Sequence, residues 1–183
     1  MATTYFFLLH HAAKSKKINI FHALAVSPIK LKKVVFLIFI GLLYSTCVWY
    51  LVNSFGIRLH TYEFKSMFRN PAYSIPFFIY AVTLGPFIEE MLLRGALYSA
   101  IREKYGDFAA LIGTAVVDTV LHSPTMHFGL SSVIVKFISS ALYTLVRARY
   151  NSVSASFVVH AASNGASGVL FGLHRLSKLL VNG

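Results

Sequence analysis

Only six acidic residues occur in this 183-residue chain. Two of them, Glu89 and Glu90, stand side by side inside an apolar run spanning residues 76–100, with Arg94 four positions after the second. A charged side chain at the bilayer centre costs roughly 2.5–3.5 kcal/mol on insertion scales, so such groups persist where they face a protein interior or a wet cavity. His122, His160 and Asn164, on later apolar segments, are of types that hold water, move protons and donate hydrogen bonds. A carboxylate withdrawn from water holds its proton more tightly than one in solution, which suits a general base near neutrality. Glu89 would deprotonate a water and His122 would hold that water or shuttle protons. His160 and the Asn164 amide, one turn apart, would donate to an oxyanion. The set suits hydrolysis of a carbonyl compound, above all a peptide bond.

Some of these residues also have structural roles to fill. Glu90 and Arg94, at i and i+4 with the acid first, are placed for a salt bridge, which leaves Glu89 unpaired. Asp118 and Lys136 are expected to neutralise one another between two helices. Most of the intramembrane Ser and Thr residues should bond the backbone or a neighbouring helix. A rival reading makes Glu89, His122 and His160 ligands of a divalent ion, or members of a proton relay. The chain has no His-Glu-x-x-His zinc motif, and the favoured reading takes no metal and no cofactor.

The residues that must position this set form a membrane protein. Hydrophobic residues make up 56% of the chain and charged ones 13%, against about 25% charged in soluble domains; the mean hydropathy is +0.65. The formal charge of +11 invites a nucleic-acid partner, but Lys14, Lys16, Lys17, Lys30, Lys32 and Lys33 all precede the first long apolar segment. The positive-inside rule accounts for that clustering and puts the N-terminus in the cytoplasm, with the lipid bilayer rather than nucleic acid as partner. No removable signal peptide is expected, because residues 5–9 are too short an apolar core. Residues 4–27 read as an in-plane amphipathic helix or a poorly ordered tail. Cys47, the single cysteine, is expected to be a small core residue.

The expected fold is an all-α transmembrane bundle of about five spans with a polar cavity between the last four. Residues 1–33 form a cytoplasmic or interfacial segment and 34–183 the membrane domain. Helices are expected at 34–55, 74–102, 108–122, 129–146 and 153–173, with 56–73 an interfacial loop or surface helix. Gly85-Pro86 should kink or restart the second helix; a restart at Pro86 would put Glu89 in about its first turn. Polar stripes at spacings of three and four mark the later helices: Thr114, Asp118 and His122; Ser132, Lys136, Ser139 or Ser140, Tyr143 and Arg147; Ser156, His160, Ser163 or Asn164, and Ser167. These seams should converge, since hydrocarbon solvates none of them. Ala161, Gly165, Gly168 and Gly172 add small-residue faces for close helix packing. Phe87, Met91, Tyr98, Phe128, Phe137 and Phe157 are candidate cavity walls.

The chain resembles the CAAX prenyl protease and bacteriocin-processing (CPBP, or Abi) intramembrane endopeptidases. The family's Glu-Glu-x-x-x-Arg motif stands as Glu89-Glu90-Met91-Leu92-Leu93-Arg94, and His-x-x-x-Asn as His160-Ala161-Ala162-Ser163-Asn164. Its middle motif, Phe-x-x-x-His, is met in part, with Asp118 where the aromatic belongs and His122 in place; His127 is a rival for that histidine. The resemblance covers about residues 75–172. It implies a metal-independent glutamic endopeptidase of the bacterial cytoplasmic membrane, acting on a membrane-embedded or lipidated peptide or protein. Glu89 would be the activating base, Glu90 and Arg94 its support, and His122, His160 and Asn164 the groups that position water and stabilise the oxyanion. The alternative is a non-catalytic family member, an immunity or scaffold protein. The oligomeric state is left open.

Overall fold

The computed structural model describes residues 24–57, 71–126 and 129–182. Most of the expected N-terminal helix or tail, most of the 56–73 loop, and His127 with Phe128 lie outside the described residues. Among the described residues the architecture is all-helical. Helix α1 spans Leu31–Ser54, α2 Pro71–Val82, α3 Leu84–Glu90, a π-helical segment Met91–Leu97, α4 Tyr98–His122, α5 Leu130–Tyr150 and α6 Val153–Asn182, with a 3-10 turn at Ser123–Met126.

Helix α1 buries one narrow stripe, Leu37, Gly41 and Ser45, at a spacing of four. Val35, Phe36, Phe39 and Leu43 on its other faces stay exposed, as suits a helix against lipid. The stripe lies on α6 so closely that a methyl group added at Gly41 would sit 2.6 Å from the Val159 carbonyl and 2.8 Å from Ala162 Cβ. Ser45 Oγ then donates to the Ser163 carbonyl at 2.7 Å and lies 2.9 Å from both the Ser163 and Ser167 hydroxyls. Small residues thus allow the approach and hydroxyls bond across it. Cys47 is not a core residue: it faces outward from α1, two positions past the buried stripe and so on another face of the helix.

The second apolar stretch restarts two residues earlier than its Gly-Pro pair suggests. Thr83 leaves helical geometry (φ −125°, ψ −85°) and α3 begins at Leu84, so Glu89 stands in the second turn of α3 rather than the first. Pro86 has no amide to give the Val82 carbonyl; at the break the Thr83 amide turns to the Tyr80 carbonyl at 3.3 Å, and Thr83 Oγ1 donates to the Ile79 carbonyl in its place at 2.6 Å.

Helix α4 holds the main change of direction. Gly106 has φ 83° and ψ 175° inside it, a left-handed backbone that glycine adopts without a Cβ penalty. Arg94 and Asp118, 24 residues apart, are bonded at 2.7 Å, whereas an unbroken helix would separate them by about 36 Å. The chain therefore doubles back at Gly106, between the two helices expected there. The turn is tied by Asp107, whose Oδ1 accepts from Tyr98 at 2.9 Å and from Arg102 Nε at 2.6 Å.

Among the described residues, three helical stretches are long and apolar enough to cross a bilayer, Leu31–Ser54, Ser74–His122 and Leu130–Tyr150, against about five expected for the chain. Two features account for the difference. The 49-residue stretch is folded on itself at Gly106, and α6 carries the Ser, His and Asn stripe that lowers its hydropathy. Helix α6 also continues to Asn182, past the expected end near residue 173, because a basic residue does not stop a helix.

Candidate active site

The polar stripes do converge. Thr114 and Asp118 of α4, Ser132, Ser139, Ser140, Tyr143, Thr144 and Arg147 of α5, and Ser156, His160 and Ser163 of α6 are all buried. Around them the π segment places Arg94 in the protein interior. Winding of this kind is rare and frequent at functional sites.

Arg94 is fully buried and holds three helices together. Its Nη2 donates to Asp118 Oδ2 at 2.7 Å, to the Ser140 hydroxyl at 2.6 Å and to the Ser140 carbonyl at 3.1 Å, while Nε donates to Thr144 Oγ1 at 3.3 Å. The expected pair with Glu90 is present, Nη1 to Oε1 at 3.3 Å, but Asp118 is the closer carboxylate. The Lys136 ammonium completes the expected neutralisation of Asp118 at 3.0 Å from Oδ1. Arg147, the last residue of the α5 stripe, is 3% exposed; its Nε donates to the Arg94 carbonyl at 3.0 Å. Leu24 lies against the same segment, 3.2 Å from where a Cβ on Gly95 would stand.

Glu89 and Glu90 take different positions despite being adjacent. Glu90 is fully buried, and its Oε1 lies 2.9 Å from His160 Nδ1. Glu89 is about one-third exposed, with Oε1 3.7 Å from His122 Nε2 and Oε2 3.9 Å from His160 Nε2. The two histidines are placed alike. Each has Nδ1 on a buried acid, Asp118 at 3.0 Å for His122 and Glu90 for His160, and each turns Nε2 toward Glu89. The His160 ring is further fixed by stacking on Tyr143, with centroids 4.4 Å apart at 18°.

Glu89, Glu90, Arg94, His122 and His160 are therefore brought together, as the motifs predict. Asn164 follows one turn beyond His160, and its amide donates to the Ala81 carbonyl at 2.9 Å. That carbonyl belongs to the last turn of α2, where the break at Thr83 removes the intrahelical partner. Sequence reasoning missed this role, and it also missed Thr144 and Arg147 as partners of Arg94. The signal for Arg147 was present, since it continues the α5 stripe.

Donor atoms of Glu89, Asp118 and His122 lie within 4.8 Å of one another, a different trio from the one considered for a divalent ion. Arg94 and Lys136 already neutralise the Asp118 carboxylate, which makes this a poor donor set for a hard cation. Of the candidate walls, Met91 and Tyr98 are buried, and Phe87 of α3 packs edge-on against Phe157 of α6 at 5.9 Å. None of these four lines the cavity of about 340 Å³ between α1, α5 and α6, which is reached by Tyr143 and Asn164 and walled by Trp49 and Phe171.

An all-helical membrane bundle with a glutamate held between two acid-supported histidines defines a class of integral membrane protein with a buried polar site. Against protein-family profiles, residues 71–166 match the Rce1-like family, the type II CAAX prenyl endopeptidases. That stretch exceeds half of the chain and contains every motif residue, and the chain belongs to this family, whose members are CAAX protease-type membrane endopeptidases. Searches of curated proteins and of solved structures found no match.

Proposed function

We propose that the protein is an intramembrane endopeptidase in which Glu89 activates a water for attack on a peptide bond of a membrane-embedded or lipidated peptide. The observation that carries this reading is the position of Glu89, about one-third exposed and facing the Nε2 atoms of two histidines at 3.7 and 3.9 Å. Those spacings are too long for direct hydrogen bonds, and a water seated beside the three groups can bond to them in their place. A water held there meets a carboxylate that takes its proton and ring nitrogens that orient it.

His160 is braced by Glu90 and Tyr143, so its Nε2 keeps a fixed direction as charge develops on the scissile carbonyl. Asn164 uses one amide hydrogen on Ala81 and has a second to offer the oxyanion. Glu90 and Arg94 support these groups from inside. No step requires a metal, and a binding-only scaffold gives no account of an acid set between two braced histidines.

The test is reconstitution. Purified protein in proteoliposomes is offered a prenylated peptide, a palmitoylated peptide and an unlipidated transmembrane peptide, with and without a chelator, and products are read by mass spectrometry. Cleavage at a defined bond, insensitive to the chelator and carrying one oxygen from labelled water in the new carboxylate, is expected. Absence of cleavage of all three, or loss of cleavage with chelator, overturns the reading.

A further inference from the structure

We propose that Asp118 is a positioning residue for the reaction, paired with His122 so that this histidine relays the proton from Glu89 to the leaving amine. The inference rests on the reading of Glu89 as base. His122 Nδ1 lies 3.0 Å from Asp118 Oδ1 and 2.9 Å from the Asp118 main-chain oxygen. The main-chain oxygen accepts the hydrogen bond from Nδ1 while Oδ1 stands beside it at ion-pair distance, so Nδ1 carries the proton and Nε2 is left to face Glu89.

The carboxylate itself cannot turn away. Asp118 is fully buried, and its Oδ2 accepts from Arg94 at 2.7 Å and from Ser140 Oγ at 2.7 Å, while Lys136 lies on Oδ1. The groups facing it come from four elements: Arg94 of the π segment, His122 of α4 itself, Lys136 and Ser140 of α5, and through His122 the Glu89 of α3. The main-chain oxygen alone would orient the ring. The carboxylate adds a negative charge that stabilises the imidazolium formed in passing, the part an aspartate plays toward a catalytic histidine in serine hydrolases. An aromatic residue, the type found at this motif position in the resembled family, supplies no such charge.

The proton inventory closes without a further reactant. Glu89 takes a proton from water as the oxygen bonds to the carbonyl carbon, and passes it to His122 Nε2. The C–N bond then breaks, and the amine nitrogen leaves with the proton from Nε2. Glu89 and His122 end as they began, and one peptide and one water have become an acid and an amine.

Two measurements on the full chain in nanodiscs test this. Nitrogen-15 histidine spectra, with the His122 signals found by difference from His122→Gln, report the ring directly and need no catalysis. Protonation at Nδ1 is expected, and an Nε2–H tautomer with a bare Nδ1 overturns the proposal even where Glu89 proves to be the base. In cleavage assays, Asp118→Asn should lower kcat by about 10²–10⁴-fold, the usual range for a general acid or base, with KM within about twofold. The loss should vanish in the His122→Gln background. An equal loss in both backgrounds shows that Asp118 acts through the fold alone and overturns the proposal. Ser140→Ala, which removes another bond to the same carboxylate, controls for structural loosening and should leave the Nδ1–H signal in place.

Discussion

Replacing Arg94 with Met keeps much of the side-chain volume but removes the cation that joins α4 and α5 to the π segment. Two fully buried carboxylates lose their shared partner: Asp118 at 2.7 Å and Glu90 at 3.3 Å. Breaking a buried ion pair from one side costs about 3–5 kcal/mol, because the remaining charge is stranded. Asp118 keeps Lys136 at 3.0 Å, and Glu90 keeps His160 at 2.9 Å, so the loss should stay in that range and not double. Arg94→Lys retains the charge but not the fork that reaches Asp118, Ser140 and Thr144 together, and should lie between Met and wild type. Unfolding in mixed micelles, followed by the single Trp49, is a suitable assay, because its ring packs edge-on against His174 of α6 at 6.3 Å. A Met variant within about 0.5 kcal/mol of wild type would refute the assignment of Arg94 as the buried tie, since surface changes fall in that range.

Three further substitutions have defined outcomes. Gly41→Ala places a methyl group 2.6 Å from the Val159 carbonyl, so α1 and α6 must separate; a loss of about 1–3 kcal/mol should appear in the same unfolding assay. Asn164→Ala removes both the Ala81 contact and the proposed oxyanion donor, and kcat for a cleaved peptide should fall about 10²–10³-fold; a rate within threefold of wild type removes Asn164 from the oxyanion site. Arg147→Met strands the Arg94 carbonyl, now bonded at 3.0 Å, which should cost about 1–3 kcal/mol in unfolding free energy and leave KM nearly unchanged.

What could be read from the sequence was whatever depends on periodicity. The stripes of α4, α5 and α6 identified their buried faces, and two acids placed at bilayer depth identified the site. The Glu90–Arg94 pair followed from a spacing of four. What escaped depends on where a helix is broken or rewound. The π winding at Met91–Leu97 has no period to betray it, so the reach of Arg94 to Asp118, Ser140 and Thr144 was invisible. The break at Thr83 frees the Ala81 carbonyl, and only the packed structure brings Asn164 to it. Cys47 was misplaced because an apolar helix of low amphipathicity does not announce which face is buried, and on α1 the buried face is marked by Gly41 and Ser45.

The central claim is that Glu89, and not its neighbour, activates the water. The direct measurement is the single-turnover rate of peptide cleavage in proteoliposomes by wild type and Glu89→Gln, with folding of both checked by the Trp49 unfolding curve. The account predicts a fall of at least about 10²-fold in the rate with the unfolding curve unchanged. A Glu89→Gln protein that cleaves at the wild-type rate contradicts it.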